Sequence, residues 1–299
     1  MAVTPPGITV SALLLLATMT VVPVATRSLI SDPAHVAGAA EALATRGAVV
    51  AHAFANFYVI TSRGDADTVR RVNVMKGRPP GQVGSITGPP ASLPEMWDLN
   101  RLPEPLSRRT ALALVDALYS RGPFGFRAPA ASSVPAHLCE ADDGVLTAQV
   151  IAPGYRCPSN AFLAAAERAC AGDLLYITSA NRSRHLTGAE DSPAHWRADG
   201  LRAEFGDEPG FLIVEHADEA EARAAYQQYL PMSTTILGLH RVVQVPHDPR
   251  PHLVLERHGS LPVDAVCRVL AEFGFGLVLG PRARTRLMLR DYTESLSDR

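Results

Sequence analysis
The chain has 299 residues with 28 Lys plus Arg against 30 Asp plus Glu, so it carries no strong overall field. That excludes a protein that coats nucleic acid through bulk positive charge, although a local basic groove stays open. A hydrophobic fraction of 47% fits a globular protein with a real core, in one large domain or two small ones.

The four cysteines, Cys139, Cys157, Cys170 and Cys267, stand far apart, with no Cys-x-x-Cys pair. A zinc site needs converging ligands, usually from closely spaced pairs; His137 and Cys139 could supply two, but no second pair matches them. Reduced, mostly buried thiols in a reducing compartment are the expectation. Ser11 to Val24 is apolar, yet the first basic residue is Arg27 and Pro23 interrupts the run. A secretory signal places positive charge first, and a membrane helix needs about 20 unbroken apolar residues. The reading is a cytoplasmic protein without membrane association, with residues 1–30 as a leader and Met19 as a candidate start.

In chain order, Asp32 to Arg46 reads as a helix, with Val36, Ala39, Leu43 and Ala44 at helical spacing. Ala48 to Ile60 is an apolar, β-rich run, and Thr68 to Met75 a short helix entering a loop at Gly77. From there to Pro105 the chain is rich in Pro and Gly and reads mostly as loop. Ser107 to Tyr119 is a helix, and Gly122 to Arg127 and Val145 to Ala152 are strands. Asn160 to Ala171 is helical, and Leu174 to Thr178 is a strand that runs into a polar loop. Phe211 to Val214 is a strand and Glu219 to Tyr229 a helix. Ile236 to Val245 and Leu253 to Glu256 are β-like, and Val263 to Phe273 is a closing helix. Strands alternating with helices, without a repeat or a linker, predict one α/β domain over 31–275. Residues 276–299 read as a tail.

No G-x-x-x-x-G-K-[ST] loop, no G-x-G-x-x-G after a strand, no G-x-S-x-G elbow and no H-E-x-x-H helix is present. Any phosphate must therefore be gripped by side chains. Lys76 and Arg78 flank Gly77 and precede Pro79 and Pro80, so two cations in a stiffened loop could hold adjacent phosphate oxygens. They could equally be solvated surface charge. Thr178-Ser179-Ala180-Asn181-Arg182-Ser183 follows a strand, where hydroxyl and amide groups are placed to meet a ligand or simply to cap a turn. Ser233-Thr234-Thr235 allows the same two readings.

In order, these segments resemble the YrdC/TsaC family over roughly residues 35 to 270. Lys76-Gly77-Arg78-Pro79 is similar to its K-G-R-P, and Gly122-Pro123-Phe124 to its P-G-P-L turn. The loop from Thr178 to Ser183 is similar to S-A-N-x-S, Met232-Ser233-Thr234-Thr235 to S-T-V, and Arg257-His258-Gly259 to R-x-G. The resemblance implies a single YrdC-like α/β domain, with a twisted mixed sheet and flanking helices around an open, positively lined groove. It implies an L-threonylcarbamoyladenylate synthase-type nucleotidyltransferase. Threonine, bicarbonate and ATP would give a carbamoyl-AMP adduct and pyrophosphate, for the threonylcarbamoyladenosine modification of tRNA. Magnesium would accompany ATP, no protein-held metal is expected, and double-stranded RNA is a possible partner.

By the same resemblance, Lys76 and Arg78 would be catalytic, and with Ser179, Asn181 and Arg257 would bind ATP. The amino-acid pocket would comprise Phe54, Asn56, Tyr58, Thr87 and Ser233. Departures gather on that second side. The family's P-T-x-T-x-Y-G-L falls on Ala53 to Ile60, where Phe54 and Asn56 replace both threonines. The arginine of R-x-P lies opposite Ile151, and the histidine of P-L-x-V-H has no counterpart in Val83 to Thr87. Nucleotide binding is therefore the firmer expectation and threonine the weaker one. The alternatives are a relative that activates another amine or carbamate, and a non-catalytic nucleotide or RNA-binding module.

Overall fold
The computed structural model describes residues 27–183 and 192–292. Most of the expected leader, with Met19 and the apolar run from Ser11, lies outside the described residues. The first strand, β1 (Ser28–Leu29), leads into α1 (Pro33–Ala44), whose start is set by Pro33 at the first turn and by the Asp32 carboxylate accepting from the Ala34 and His35 amides. The apolar run at 48–60 is a hairpin, β2 (Val49–Phe54) and β3 (Phe57–Arg63), with Phe54 opposite Phe57. Ala55 turns the chain at φ 56°. Nearly every residue of both strands is buried, so no period-2 pattern marks them in the sequence.

Helix α2 (Ala66–Met75) is capped by Asp65, and the short β4 (Ser85–Thr87) lies within the stretch expected as loop. Helix α3 (Arg108–Tyr119), capped by Ser107, precedes β5 (Phe124–Pro129), β6 (Cys139–Asp142) and β7 (Val145–Ala152). Next come α4 (Ser159–Ala169), β8 (Leu175–Ser179), α5 (Ala198–Phe205), β9 (Phe211–Glu215) and α6 (Glu219–Ala225). The long pair β10 (Ile236–Val245) and β11 (Asp248–Arg257), α7 (Val263–Glu272) and β12 (Gly276–Leu279) complete the fold. The expected boundary after residue 275 thus falls directly before an edge strand, leaving β12 within the expected tail.

All strands join one 12-stranded mixed sheet in the order β1-β9-β2-β3-β8-β4-β7-β5-β10-β11-β12, with β6 paired to β7. Parallel pairs, such as β1 and β2 with β9 and β5 with β10, alternate with antiparallel pairs such as the β2–β3 and β10–β11 hairpins. Helices α1 and α4 pack together over the sheet, as do α3 and α7. Fully buried Leu43, Val50, Tyr119, Phe126, Leu237 and Leu253 fill the space between; burying each such side chain is worth roughly 1.5–3 kcal/mol. The cysteines are unbridged thiols, three of them buried and Cys267 exposed. His137 is engaged with the Gly64 carbonyl at 2.7 Å. No helix among the described residues is long and apolar enough to cross a membrane.

Candidate functional site
A groove of about 710 Å³ lies across six neighbouring strands, β8, β4, β7, β5, β10 and β11. Its floor is apolar, built by Ile151, Ile177 and Ile236, and its walls carry Arg78, Arg127, Arg257 and Arg282. Ser85, Thr178, Ser179 and Gln149 add neutral hydrogen-bonding groups. A concave, partly apolar site with a few converging polar groups is the usual form of a small-molecule site.

The Lys-Gly-Arg loop and the loop after β8 are stitched together by backbone geometry. Gly77 sits at φ 74°, and a Cβ there would meet the Ser183 carbonyl at 2.9 Å, so glycine is required. The Ser183 amide in turn donates to the Lys76 carbonyl at 2.6 Å. This turn leaves Arg78 half-buried at the groove wall, where its guanidinium donates to Thr178 Oγ1 at 2.7 Å.

Lys76 takes a different place from the one expected for a phosphate contact. It is fully buried, and its Nζ donates to the Ser179 carbonyl and, at 2.6 Å, to that of Asn181. Asn181 is also buried and reaches its own loop, donating to the Arg182 carbonyl at 3.0 Å. Of the five residues expected at ATP, Arg78, Ser179 and Arg257 line the groove, while Lys76 and Asn181 lie behind its wall.

Arg257 ends β11 and is oriented by Thr234, donating to its carbonyl at 2.7 Å and its hydroxyl at 2.8 Å. The Arg-His-Gly turn reaches Ser-Thr-Thr because residue 259 has no side chain: a Cβ there would lie 2.1 Å from the Ser233 carbonyl. Burial, then the like charges of Arg78 and Arg127, pull the Arg257 guanidinium down to about 10. An anion in the groove would relieve that repulsion.

The residues expected at the amino-acid pocket do not converge on the groove. Phe54 is fully buried and packs with Phe57 beneath the apolar floor, in one cluster with Ile151, Ile177 and Ile236. Asn56 donates to the Tyr229 carbonyl at 2.9 Å, and Tyr58 to Glu219 at 3.0 Å. Thr87 donates to the Ile151 carbonyl at 2.8 Å, and Ser233 meets the Ser260 amide through its own carbonyl. These contacts hold the walls in place.

Arg127 and Gln149 are among the groove residues that sequence reasoning does not single out. They face each other across β5 and β7, two pairs along from Gly125 opposite Ile151. Side chains alternate along a strand, so Arg127 emerges on the same face as Ile151. The Arg127 guanidinium meets Glu140 at 2.6 Å and Gln149 at 3.2 Å, and Gln149 donates on to Ser85 at 2.6 Å. A charged residue inside an otherwise apolar strand was the available signal.

Asp142, His240 and Glu256 place ligand atoms within 4.8 Å of one another. His240 lies 2.9 Å from Asp142, and the Arg241 guanidinium lies 2.7 Å from Glu256 and 3.5 Å from Asp142. Magnesium wants an octahedral set of oxygens, whereas this trio is already neutralised by a guanidinium and includes an imidazole. The donor set does not fit a resident magnesium ion.

The segment after β12 returns along the groove's rim. Arg282 and Leu287 line it, Arg286 donates to the Gly259 and Ser260 carbonyls, and Arg290 to the Pro193 carbonyl at 2.7 Å. Tyr292 Oη lies 2.8 Å from His195 Nδ1 and accepts from the Trp196 amide at 3.3 Å. Tyr292→Phe removes that shared hydroxyl and is expected to cost about 1 kcal/mol, lowering Tm by roughly 2–4 °C in thermal unfolding. An unchanged Tm would show that the strap contributes nothing to stability.

The sequence matches no family model and no curated protein. Solved structures with a similar fold include Sua5 from P. abyssi complexed with L-threonine, at TM-score 0.57 and 17% identity, covering 87% of this chain and 65% of that one. A variant of the same Sua5 gives TM-score 0.55 at 18% identity, over 84% and 63%. A hypothetical protein from Streptococcus mutans UA159 gives 0.56 at 14% identity, over 82% and 94%. The chain thus spans less than two thirds of the length of the Sua5 chains. The fold is the YrdC-like one that the motif order led us to expect.

Proposed function
We propose that the groove binds a nucleoside triphosphate, and that the chain is an ATP-dependent nucleotidyltransferase of the carbamoyladenylate-forming type. The observation that carries this reading is the convergence of Arg78, Arg127 and Arg257 on one partly apolar groove, with Arg257 held by neutral groups of Thr234 and pressed by like charge. Guanidinium groups grip phosphate oxygens bidentately, and the isoleucine floor suits a base or a ribose face.

In the reaction, the amine of an amino acid adds to carbon dioxide drawn from bicarbonate and loses a proton, giving a carbamate. A carbamate oxygen attacks the α-phosphorus of ATP, and the bond to the bridging oxygen of the β-phosphate breaks, releasing pyrophosphate. Arg78 and Arg257 would offset charge as it moves onto the leaving group, and Ser179 would position a phosphate or ribose oxygen. Lys76 would act from behind, fixing the carbonyls of the loop that carries Ser179. Magnesium would arrive as part of the triphosphate. The P. abyssi Sua5 complex with L-threonine supports an amino acid as co-substrate. Because Phe54, Asn56, Tyr58, Thr87 and Ser233 do not line the groove, a co-substrate other than threonine, or nucleotide binding without turnover, is favoured. A place in tRNA threonylcarbamoyladenosine modification, in the cytoplasm, belongs to the same proposal.

Calorimetric titration with MgATP should show a single saturable site that stabilises the fold by about 2.7 kcal/mol at a hundredfold excess over Kd. A pyrophosphate-release screen over amino acids with bicarbonate then separates catalysis from binding alone. Absence of ATP binding would remove the reading altogether.

A further inference from the structure
The groove differs in charge from one end to the other. Arg257, Ile236, Gly125 and Ile151 stand in one row across the sheet. On the same face of β7, Gln149 and Thr147 follow Ile151, and Thr147 is paired with Glu140 on β6. Gln149, Thr147 and Glu140 all line the groove. At about 3.3 Å per residue, the run along β7 from Ile151 to Thr147 sets Glu140 about 13 Å from the Arg257 row. That is the scale of a nucleotide laid lengthwise, not of a phosphate group alone.

At the Arg257 end the guanidinium is held by neutral groups of Thr234 and pressed by the like charges of Arg78 and Arg127. Beyond Arg127 the charges balance. Glu140 lies 2.6 Å from Arg127 and 3.9 Å from Arg282, while Glu256 and Asp142 flank Arg241 at 2.7 and 3.5 Å. A polyanion is drawn to the first end, and an uncharged group suits the second.

Glu140 is the acceptor left open there. Its Oε2 accepts from Arg127, whereas Oε1 lies 3.9 Å from the Arg282 guanidinium, beyond hydrogen-bond distance. Its side chain is 37% exposed, so a molecule in the groove can reach it. The Thr147 hydroxyl donates to the Glu140 carbonyl at 2.8 Å, which fixes the strand beneath it. Gln149 is already committed, accepting from Arg127 at 3.2 Å and donating to Ser85 at 2.6 Å.

We infer that Glu140 determines base specificity in this groove, accepting a hydrogen bond from the exocyclic amine of adenine while Arg78 and Arg257 hold the phosphates. This role rests on the nucleotide reading of the groove and adds to it the choice of base. Adenine presents a donor amine where guanine presents an acceptor oxygen. An ionised carboxylate only accepts, so it selects the base that donates at that position. The ribose would then lie over the isoleucine floor.

ATP and purine riboside triphosphate, which differ by that amine alone, are the probes, each titrated with magnesium into the full chain by calorimetry. ATP should bind about tenfold more tightly, the lower end for a hydrogen bond to a charged group. Glu140→Ala should shrink that preference to within about twofold. The charge it frees on Arg127 acts on both triphosphates alike and cancels in the ratio. Glu140→Gln, which keeps a neutral carbonyl acceptor, should leave a preference of about threefold. Should Glu140→Ala fail to fold, the native chain and Glu140→Gln decide the matter. Equal affinities in the native chain, or a preference unchanged in the folded variants, would overturn the role of Glu140 and leave the nucleotide groove standing. Failure of both triphosphates to bind would remove the groove's nucleotide reading and this subsite with it.

Discussion

Lys76→Met should destabilise the fold by about 2–4 kcal/mol, whereas Arg78→Ala should leave stability within about 1 kcal/mol and lose ATP affinity instead. Both residues belong to one short motif, and their positions in it do not distinguish them. Their surroundings do. The Lys76 ammonium is buried on the carbonyls of Ser179 and Asn181, so a thioether in its place leaves two buried acceptors without their donor. Charge-assisted bonds of that kind are worth about 1.5–3 kcal/mol each, offset in part by the cost of burying the ammonium. Arg78 lines the groove and holds Thr178 by one hydrogen bond. On the proposed function its loss would remove a phosphate contact worth about ten- to hundredfold in affinity. Thermal unfolding and calorimetry of both variants check this together. A Lys76→Met protein with ordinary Tm and no ATP binding would return the lysine to the groove.

The same contrast shows where sequence reading reaches and where it stops. Capped, amphipathic helices such as α1 and α3 are legible because Asp32 and Ser107 sit immediately before periodic apolar residues. The order of Lys-Gly-Arg, Ser-Ala-Asn, Ser-Thr-Thr and Arg-x-Gly is legible as a groove, because the fold brings segments far apart in sequence to one place. Strands of three or four residues, such as β4, β6 and β12, are too short to show a period. Helix α5 and the strap ending at Tyr292 depend on partners such as Glu204 with His195, which only the folded chain brings together. Arg127 acquires its place from register: two pairs along from the pair that holds Ile151, on the adjacent strand, it brings a cation to the groove. Phe54 takes the place of a pocket threonine in the motif alignment, yet it lies in the layer beneath the floor. Residue type suggests chemistry, but which side of a wall a side chain occupies is settled by packing.

The protein should lose about 4 kcal/mol of stability between pH 7 and pH 5. His52 is wholly buried against the Phe162 ring, 4.6 Å between centroids, with Nε2 at 2.8 Å from Thr61 Oγ1. Burial holds its pKa down to about 3, and that of His216 down to about 4. Burial also lowers His195, against the opposing pull of Glu204. An unfolded histidine titrates near 6.5, so below that pH the unfolded chain takes up protons that the folded chain refuses. Stability from these groups is therefore complete above pH 6.5 and falls as pH drops towards 4 for His216 and 3 for His52. Each contributes at most about 1.4 kcal/mol per pH unit, or about 2 kcal/mol apiece at pH 5. Glu204 works in a lower window. Burial alone would raise it, but hydrogen bonding and charge from His195 and Arg290 hold it at about 2, so its contribution is lost only between about 4.5 and 2. Urea unfolding at half-unit steps from pH 7 to pH 5 should show about two protons bound on unfolding. His52→Gln, which keeps a hydrogen-bonding group near Thr61 but cannot titrate, should remove about one of them. A stability flat over that range would mean that these imidazoles take up protons in the folded state, and the burial assigned to His52 and His216 would be wrong.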